Sequence, residues 1–390
     1  MFVDGFMNVK LGEIFEIGSG GTPSKKNPEY YNGNIPWIKT GDLKEKYLYK
    51  SEDYITELGL NNSSAKMCEP DTVLIAMYGA TIGATSILKI PACTNQACAT
   101  FKKSDKITPE FLYYFFRSQK ERFVKDGVGG AQPNISAGYL KKIEIELLPL
   151  KKQNEITNTL DKLQSIITHI RTQLEKLDLL VKARFVEMFG TLPENPNNYS
   201  ITTIAEVCSL IKDGTHQTPE YTDDIEKGYK FLSSKDVMSQ KIDWSNIKYI
   251  PKVLHEKLYS TLKPQKNDIL MSKNGVNYGV AAVNDTEEVF DIYVSLALLR
   301  PLDIINPIFF RCVINNPDTK MQFDSSIKGI GVPNLHLGEI KKTKILLPPI
   351  NKQEEYVTFV KQVDQSKSIL QQELTQTQTL FNSLMQEYFG

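Results

Sequence analysis

Apolar residues advance by alternating steps of four and three along two stretches of the chain, 151–190 and 351–390. The repeat runs from Ile156 to Met188 in the first stretch, and from Tyr356 to Tyr388 in the second, where Lys367 and Thr377 weaken it. Such a seam is typical of a long helix that packs against another helix. Each stretch is therefore predicted to form a helix of about 38 residues, roughly 57 Å long at 1.5 Å per residue. The principal seam positions are Leu160, Leu163, Ile167, Ile170, Leu174 and Leu177 in the first helix and Val360, Val363, Leu370, Leu374, Phe381 and Leu384 in the second.

The two helices belong to a larger internal repeat. Residues 149–153, which open the first helix, match 349–353, and residues 187–190 at its end match 387–390. Matching positions lie about 200 residues apart, which indicates a tandem duplication of a unit of domain size. Upstream matches, at the same or a smaller offset, are Pro133-Asn134 with Pro333-Asn334, Lys141-Lys142 with Lys341-Lys342, Gly79 with Gly275, Gly83 with Gly279, and Gly21-Thr22 with Gly214-Thr215.

A long helix with one apolar stripe must cover that stripe, and the matching stripe in the same chain is the other helix. The simplest expectation is an intramolecular antiparallel coiled coil, with the two globular parts at opposite ends and related by a pseudo-twofold axis. A parallel pairing, and packing of each helix only on its own domain, remain alternatives.

The front of each unit has a mixed pattern. Short apolar runs at 73–79, 144–150, 268–275 and 342–348 predict strands, while 109–124 and 307–323 predict helices, the second ended or bent by Pro317. We therefore predict two α+β domains. The predicted limits are 1–150 for the first domain, 151–190 for a central helix, 191–199 for a linker, 200–350 for the second domain and 351–390 for a C-terminal helix.

Four segments together resemble the specificity subunit of type I restriction-modification systems. They are the stretch Ile35 to Leu43, the predicted strand from Asp71 to Gly79 and Gly83, the start of the first helix at 147–153, and its end at 185–190. The resemblance covers essentially the whole chain. Two departures lie at the helix starts: Leu148-Pro149 stands where the family usually has Pro-Pro, and Lys152-Gln153 and Lys352-Gln353 stand where it usually has Glu-Gln.

The resemblance implies a non-enzymatic reader of double-stranded DNA. Each globular part would be a target-recognition domain for one half of a bipartite site. The helices would space the two domains and dock two methyltransferase subunits, and motor-nuclease subunits would join through that core. No cofactor is expected on this chain, whereas S-adenosylmethionine, ATP and magnesium are expected on the partners. Half-sites one helical turn apart need domain centres roughly 34 Å apart, which a rod of roughly 57 Å can supply.

The candidate DNA contacts are basic pairs for phosphates and polar or planar side chains in divergent loops for bases. An ordinary turn or surface role remains open for each residue. The first domain contributes Lys25, Lys26, Tyr30, Lys39, Thr40, Tyr78, Gln132, Asn134, Lys141 and Lys142. The second contributes His216, Gln217, Ser233, Lys235, Lys273, Asn274, Asn277, Tyr278, Lys328, Asn334, His336, Lys341 and Lys342.

Charge is a partial objection to DNA binding. The chain carries 46 basic and 46 acidic residues, whereas an isolated DNA-binding domain is usually basic. DNA affinity must then come from local patches or be shared with a partner. A duplicated adaptor that joins two proteins without touching DNA, and a free-standing enzyme, are therefore kept as alternatives.

Catalytic, metal and membrane signals are weak. The glycine-rich stretches 18–22 and 79–84 lack the phosphate-binding lysine and are interpreted as turns. The segment Asn27 to Tyr30 lacks the second proline of the amino-methyltransferase motif. Four scattered histidines and five cysteines lack metal-ligand spacing, so no metal site is predicted and the thiols are expected to be buried. No apolar run could span a bilayer and no signal segment is recognised, so a cytoplasmic location without membrane contact is expected.

Overall fold

The computed structural model describes residues 7–127, 134–327 and 333–390 of the chain. It divides the chain into two compact units. The first comprises residues 1–171 and 371–390, and the second comprises residues 172–370. Each unit combines a globular part with segments of both long helices. Both globular parts are α+β, as predicted.

The described residues of the first unit form ten strands in three sheets. The strands are β1 (Asn8–Lys10), β2 (Ile17–Ser19), β3 (Tyr31–Ile38), β4 (Tyr47–Leu48), β5 (Tyr54–Ile55), β6 (Val73–Ala76), β7 (Thr85–Leu88), β8 (Cys93–Thr94), β9 (Cys98–Phe101) and β10 (Glu144–Glu146). The sheet orders are β2-β9-β6-β7-β4, β5-β3-β8 and β1-β10. Its short helices are α1 (Leu11–Ile14), α2 (Glu57–Asn61), α3 (Pro109–Ser118), α4 (Lys120–Asp126) and α5 (Ala137–Lys141).

The core of the first unit forms between β6 and α3. All four β6 residues are buried, which explains why this strand appears as a continuous apolar run. Thr108 caps α3 by accepting a hydrogen bond from the Phe111 amide at 3.2 Å. The prediction of one helix over 109–124 is wrong at Gln119, whose ψ of 2° departs from the helical value. The break turns α4 so that Phe123 is fully buried.

Two long helices extend from the globular parts. They are α6 (Leu150–Phe189) and α11 (Ile350–Phe389), each of 40 residues. Gly190 follows α6 with a φ of +76°, the left-handed conformation that commonly ends helices.

The second unit repeats the architecture, with nine strands in the part that the structure describes. They are β11 (Ser200–Thr203), β12 (Cys208–Asp213), β13 (Tyr229–Leu232), β14 (Lys248–Ile250), β15 (Ile269–Ser272), β16 (Ala281–Val283), β17 (Phe290–Ile292), β18 (Leu296–Pro301) and β19 (Lys344–Leu347). The sheet orders are β12-β18-β15-β16, β14-β13-β17 and β11-β19. Its short helices are α7 (Lys252–Tyr259), α8 (Pro307–Ile314), α9 (Pro317–Ser326) and α10 (Leu337–Lys342). The predicted break at Pro317 is confirmed, since α8 ends and α9 begins there.

Backbone geometry confirms the repeat in the globular parts. Gly79, Gly83, Gly275 and Gly279 all have a positive φ, between +66° and +87°, a conformation that glycine adopts without strain. One predicted match shifts by a residue. Gly20 and Gly214 are equivalent, because each amide donates to the first residue of the neighbouring strand, Cys98 in β9 or Leu296 in β18.

The long helices pack against each other in antiparallel directions within each unit. In the second unit, Tyr356 near the start of α11 contacts Phe185 near the end of α6, and Lys367 further along α11 pairs with Asp178 at 2.5 Å. In the first unit, the start of α6 and the end of α11 share one apolar core. The antiparallel prediction is confirmed, which excludes the parallel pairing.

None of the predicted seam residues is exposed, and Leu160, Leu163, Ile167, Leu374, Phe381 and Leu384 share one apolar core. Those that are buried are Leu160, Ile167, Ile170, Val360, Val363 and Phe381, and those that are half-buried are Leu163, Leu174, Leu177, Leu370, Leu374 and Leu384.

Three of the five cysteines, Cys68, Cys93 and Cys98, are buried in the first unit. Burial raises the pKa of the Cys93 and Cys98 thiols to about 12, so these thiols stay protonated near neutral pH.

Candidate nucleic-acid interface

Five loops of the first unit meet at one edge, organised by the turn between β8 and β9. We call this set the first loop edge; it comprises 20–26, 39–42, 77–83, 95–97 and 134–136. The joining bonds are Gly21 N to Thr94 O (2.8 Å), Asn95 N to Ile38 O (3.0 Å), Met77 N to Ala97 O (2.8 Å) and Ile135 N to Met77 O (3.0 Å). Backbone groups make these bonds. They fix the positions of the loops without using the exposed side chains.

The second unit builds the same edge around the turn between β17 and β18. The second loop edge comprises 214–217, 233–236, 273–279, 293–295 and 333–336. Its joining bonds are Thr215 N to Ile292 O (3.0 Å), Tyr293 N to Leu232 O (2.8 Å), Lys273 N to Ser295 O (3.0 Å) and Leu335 N to Lys273 O (2.7 Å). Each bond has its counterpart in the first unit.

Equivalent positions on the two edges carry different side chains. Isolated antiparallel bridges join Tyr78 to Asn134 in the first unit and Asn274 to Asn334 in the second. A phenol therefore stands on one edge where an amide stands on the other. Amides pair with adenine edges in the major groove, whereas an aromatic ring offers stacking area. One backbone frame thus presents two different surfaces.

A second equivalent pair follows β3 and β13. A short 3₁₀ helix begins after Lys39 in one unit and after Ser233 in the other. In each, an aspartate three residues on accepts the backbone N–H: Asp42 from Lys39 at 2.8 Å, and Asp236 from Ser233 at 2.7 Å. Lys39 and Ser233 therefore occupy matching turns, and the Ser233 hydroxyl also donates to Asp236 at 3.0 Å. The Lys39 ammonium also pairs with Asp53, and this hydrogen bond raises the pKa of Lys39.

The loop 275–279 holds an apolar side chain in solvent. Ser272 Oγ donates to the carbonyl of Asn277 at 2.8 Å and accepts from the Val280 amide at 3.0 Å, which ties both ends of the loop together. At its tip, Val276 is 87% exposed. An apolar group in such a place can contact a thymine methyl in the major groove.

Comparison with known proteins decides what kind of chain this is. Residues 3–178 and residues 196–378 both match the family described as type I restriction modification DNA specificity domain. The chain belongs to this family. The family match spans both globular parts and much of both long helices.

Individual relatives agree with the family assignment. The MjaIX specificity subunit of Methanocaldococcus jannaschii is 25% identical over 374 residues, covering 87% of this chain and 82% of that protein. The fold is similar to the S subunit of M. genitalium, with a TM-score of 0.56 at 16% identity, covering 100% of this chain and 98% of that one. It is also similar to a chain from a type I restriction-modification system studied for complex assembly and conformational transition. That likeness has a TM-score of 0.60 at 17% identity, with the same coverage.

Most predicted contact residues of this specificity-family chain lie on the two loop edges. The exposed ones are Lys25, Lys26, Asn134, His216, Gln217, Lys235, Asn277, Asn334 and His336, and Tyr78 is 38% exposed. The half-buried ones are Lys39, Thr40, Ser233 and Asn274. Tyr30, also half-buried, lies just beyond the first edge, where its carbonyl accepts the Thr56 amide.

Two predicted contacts in the second unit are buried and bonded within the protein. Lys273 is 4% exposed and its ammonium lies 2.8 Å from Asp213. Tyr278 is 8% exposed and its hydroxyl donates to Asp324, a bond that raises the pKa of the phenol. Both side chains are therefore part of the buried support of the second loop edge in this structure.

The basic pairs occupy a different place. Lys141 and Lys142 lie at the end of α5, and Lys341 and Lys342 at the end of α10, all exposed. In each unit, one short helix connects the basic pair to the loop edge that precedes it in the chain. Gln132 and Lys328 lie outside the described residues.

Sequence reasoning missed the two turns that organise the edges. Asn95 and Gln96 stand in the first, and Tyr293 and Ser295 in the second; Gln96 is exposed, and its side chain contacts the Thr22 hydroxyl. The signal was present as polar residues between two buried strands, β8 and β9. Within the described residues, no cluster of three potential metal ligands occurs, and no helix there is long and apolar enough to cross a bilayer.

Proposed function

We propose that this chain is the DNA-recognition subunit of a type I restriction-modification enzyme, and that each loop edge reads one half of a bipartite duplex site. The supporting observation is the pair of loop edges, in which identical backbone bonding carries different exposed side chains. Two different half-sites require this combination. Contacts to the phosphates can be the same in both units, whereas contacts to the bases must differ.

The two long helices serve in this proposal as spacer and docking surface. Their antiparallel pairing within each unit leaves other apolar side chains in solvent, such as Leu179, which is 62% exposed, and Leu380, which is 50% exposed. Two methyltransferase subunits would cover such faces, and motor-nuclease subunits would join through them. S-adenosylmethionine, ATP and magnesium belong to those partners, and the chain itself acts without catalysis, in the cytoplasm.

The balanced charge of the chain is consistent with DNA binding that is shared with partner subunits. The net charge is zero, whereas a stand-alone binder draws most of its affinity from an excess of lysine and arginine. Phosphate contacts would come from the exposed basic pairs on α5 and α10 and from the partners.

A footprint tests the proposal directly. The chain purified with its methyltransferase partner is expected to protect two short segments of one DNA site, separated by an unprotected spacer. Protection is expected to weaken steeply with salt. No sequence-selective protection would instead indicate an adaptor that joins proteins, and turnover by the chain alone would indicate an enzyme.

A further inference from the structure

A fully buried glutamine fastens each long helix to its own globular part. Gln153 lies in the first turn of α6 and Gln353 in the first turn of α11, and both are 0% exposed. Neither residue belongs to a loop edge. Their amide groups are nevertheless used almost identically.

In the first unit, Gln153 bonds to three backbone groups in two segments of the chain. Its Oε1 accepts the N–H of Thr108 at 2.9 Å, and its Nε2 donates to the carbonyls of Lys106 and Leu148, both at 2.8 Å. Thr108 is the residue that caps α3. The side chain therefore fixes the start of the long helix to the start of the principal core helix.

In the second unit, Gln353 makes the same three bonds. Its Oε1 accepts the N–H of Asn306 at 2.8 Å, and its Nε2 donates to Ile304 O at 3.1 Å and to Pro348 O at 2.8 Å. Asn306 caps α8. We call each glutamine with its three backbone partners a glutamine clasp.

Each clasp restricts the angle between the long helix and its globular part, in addition to holding the two in contact. A buried amide with all its partners in place resists rotation, because moving the helix would leave buried polar groups unpaired. The apolar contacts around it tolerate small rotations much better, since they are not directional. The clasp is thus a fully buried directional element in the joint between helix and globular part. Further along the helices, Asp161 bonds to Lys46 and Tyr114 in the first unit, and Asp364 pairs with Arg311 in the second.

A small change in that angle is large on the scale of DNA. A loop edge lying about 15 Å from the joint, roughly the radius of gyration of a domain of this size, moves by about 3.4 Å when the joint turns by about 13°. That displacement equals the rise of one base pair. Discrimination between spacers that differ by one base pair therefore requires a stiff joint at the start of each helix.

We infer that Gln153 and Gln353 are positioning residues that set how strictly the chain measures the spacer between its two half-sites. This inference rests on the proposed function. It adds that spacer discrimination depends on the two clasps, while the base preference of each half-site depends on the loop edges.

The test uses the full chain with its methyltransferase partner and DNA sites in which both half-sites are fixed and the spacer varies by one base pair in either direction. Gln153→Met and Gln353→Met keep the side-chain length but remove the hydrogen bonds. The wild-type ratio of affinities for the correct spacer and for a spacer one base pair longer or shorter is expected to fall by about tenfold in either variant, because the three hydrogen bonds that fix the helix angle are lost. The base preference within each half-site is expected to stay unchanged.

The controls distinguish a loss of joint stiffness from a general loss of stability. Gln362→Met changes an exposed glutamine of the same α11 helix and is expected to keep the wild-type ratio. Gln153→Asn, which keeps the amide group but shortens the side chain by one methylene, provides a second variant if the methionine change prevents folding. A uniform loss of affinity at every spacer, with the ratio intact, would overturn the inference. If the wild type itself showed no half-site preference, the proposed function would fail first.

Discussion

Tyr356, near the start of the C-terminal helix, donates its phenolic hydrogen to the backbone carbonyl of Val181, near the end of the central helix, over 3.0 Å. The same ring packs edge-on against Phe185 at 5.6 Å and Phe189 at 5.5 Å between ring centroids. This contact pins the antiparallel pairing of the two helices in the second unit, and its loss can be measured.

Tyr356→Phe keeps the ring and removes the hydrogen bond. We expect the unfolding free energy to fall by about 1 kcal/mol, the usual net contribution of a buried hydrogen bond. Urea unfolding followed by circular dichroism measures the change. Tyr49→Phe is the control, because Tyr49 is 67% exposed; equal losses in both variants would show that the Val181 contact contributes nothing.

The seam makes a stronger prediction. Leu174 and Leu374 are half-buried on the two helices, so Leu174→Glu with Leu374→Glu places charges where apolar contacts form. We expect a loss above about 3 kcal/mol, because a charge pressed into an apolar contact is strongly disfavoured, and with it loss of partner assembly. Normal assembly of this double variant would reject the coiled-coil scaffold.

A matched pair of changes tests whether the effect depends on the face of the helix that carries the charge. Leu179→Glu and Leu380→Glu alter leucines that are 62% and 50% exposed. Thermal unfolding of this pair is expected to resemble the wild type. Equal destabilisation by both pairs would mean that the seam has been assigned to the wrong face.

Acid stability of the first unit depends partly on Asp71. The hydrogen bond from Lys89, at 2.6 Å, holds the pKa of the Asp71 carboxyl below its usual range. A depressed folded pKa stabilises above the ordinary value of about 3.9, and that contribution disappears as pH falls through the lower folded value.

Asp71→Asn removes this contribution, and asparagine tolerates the positive φ of 68° found there. Because the pair is partly exposed, we expect the variant to lose less than about 1 kcal/mol at pH 7. Unfolding curves of the two proteins should converge as pH falls below about 4. A difference that stays constant down to the most acidic pH would assign the effect to packing.

Val276 makes a prediction about base recognition. If its exposed side chain contacts a thymine methyl, replacing one thymine of the second half-site by deoxyuridine should weaken wild-type binding by about 1 kcal/mol, about one methyl group. Val276→Ala should lose that sensitivity. Val253→Ala, which changes a valine 80% exposed on α7, should retain it. Equal binding of both DNAs by the wild type would exclude the methyl contact.

The sequence predicted the parts of the fold that periodicity controls. The heptad steps from Ile156 to Met188 identified both helix length and the face that packs, because a seam must stay in register over many turns. The antiparallel direction was only the simplest expectation, and the contacts of Tyr356 and Lys367 with the end of α6 decided it. The break at Gln119 was missed, since no proline or glycine marks it.

The candidate site was harder to predict. Tyr78 and Asn134 were singled out separately, but nothing in the sequence shows that a backbone bridge joins them. Lys273 and Tyr278 look like exposed contacts in sequence, yet burial and the partners Asp213 and Asp324 engage them. Such pairings depend on loops brought together by distant strands, which local patterns do not encode.

Independent reading by the two loop edges is the central property of the proposed DNA-recognition subunit. Exchanging residues 200–350 for the equivalent segment of another reader, followed by sequencing of methylated bases in a host with the intact system, tests this directly. We predict that one half of the methylated site changes while the other half keeps its sequence. A change in both halves, or in neither, would contradict the claim that each unit reads its own part of the DNA.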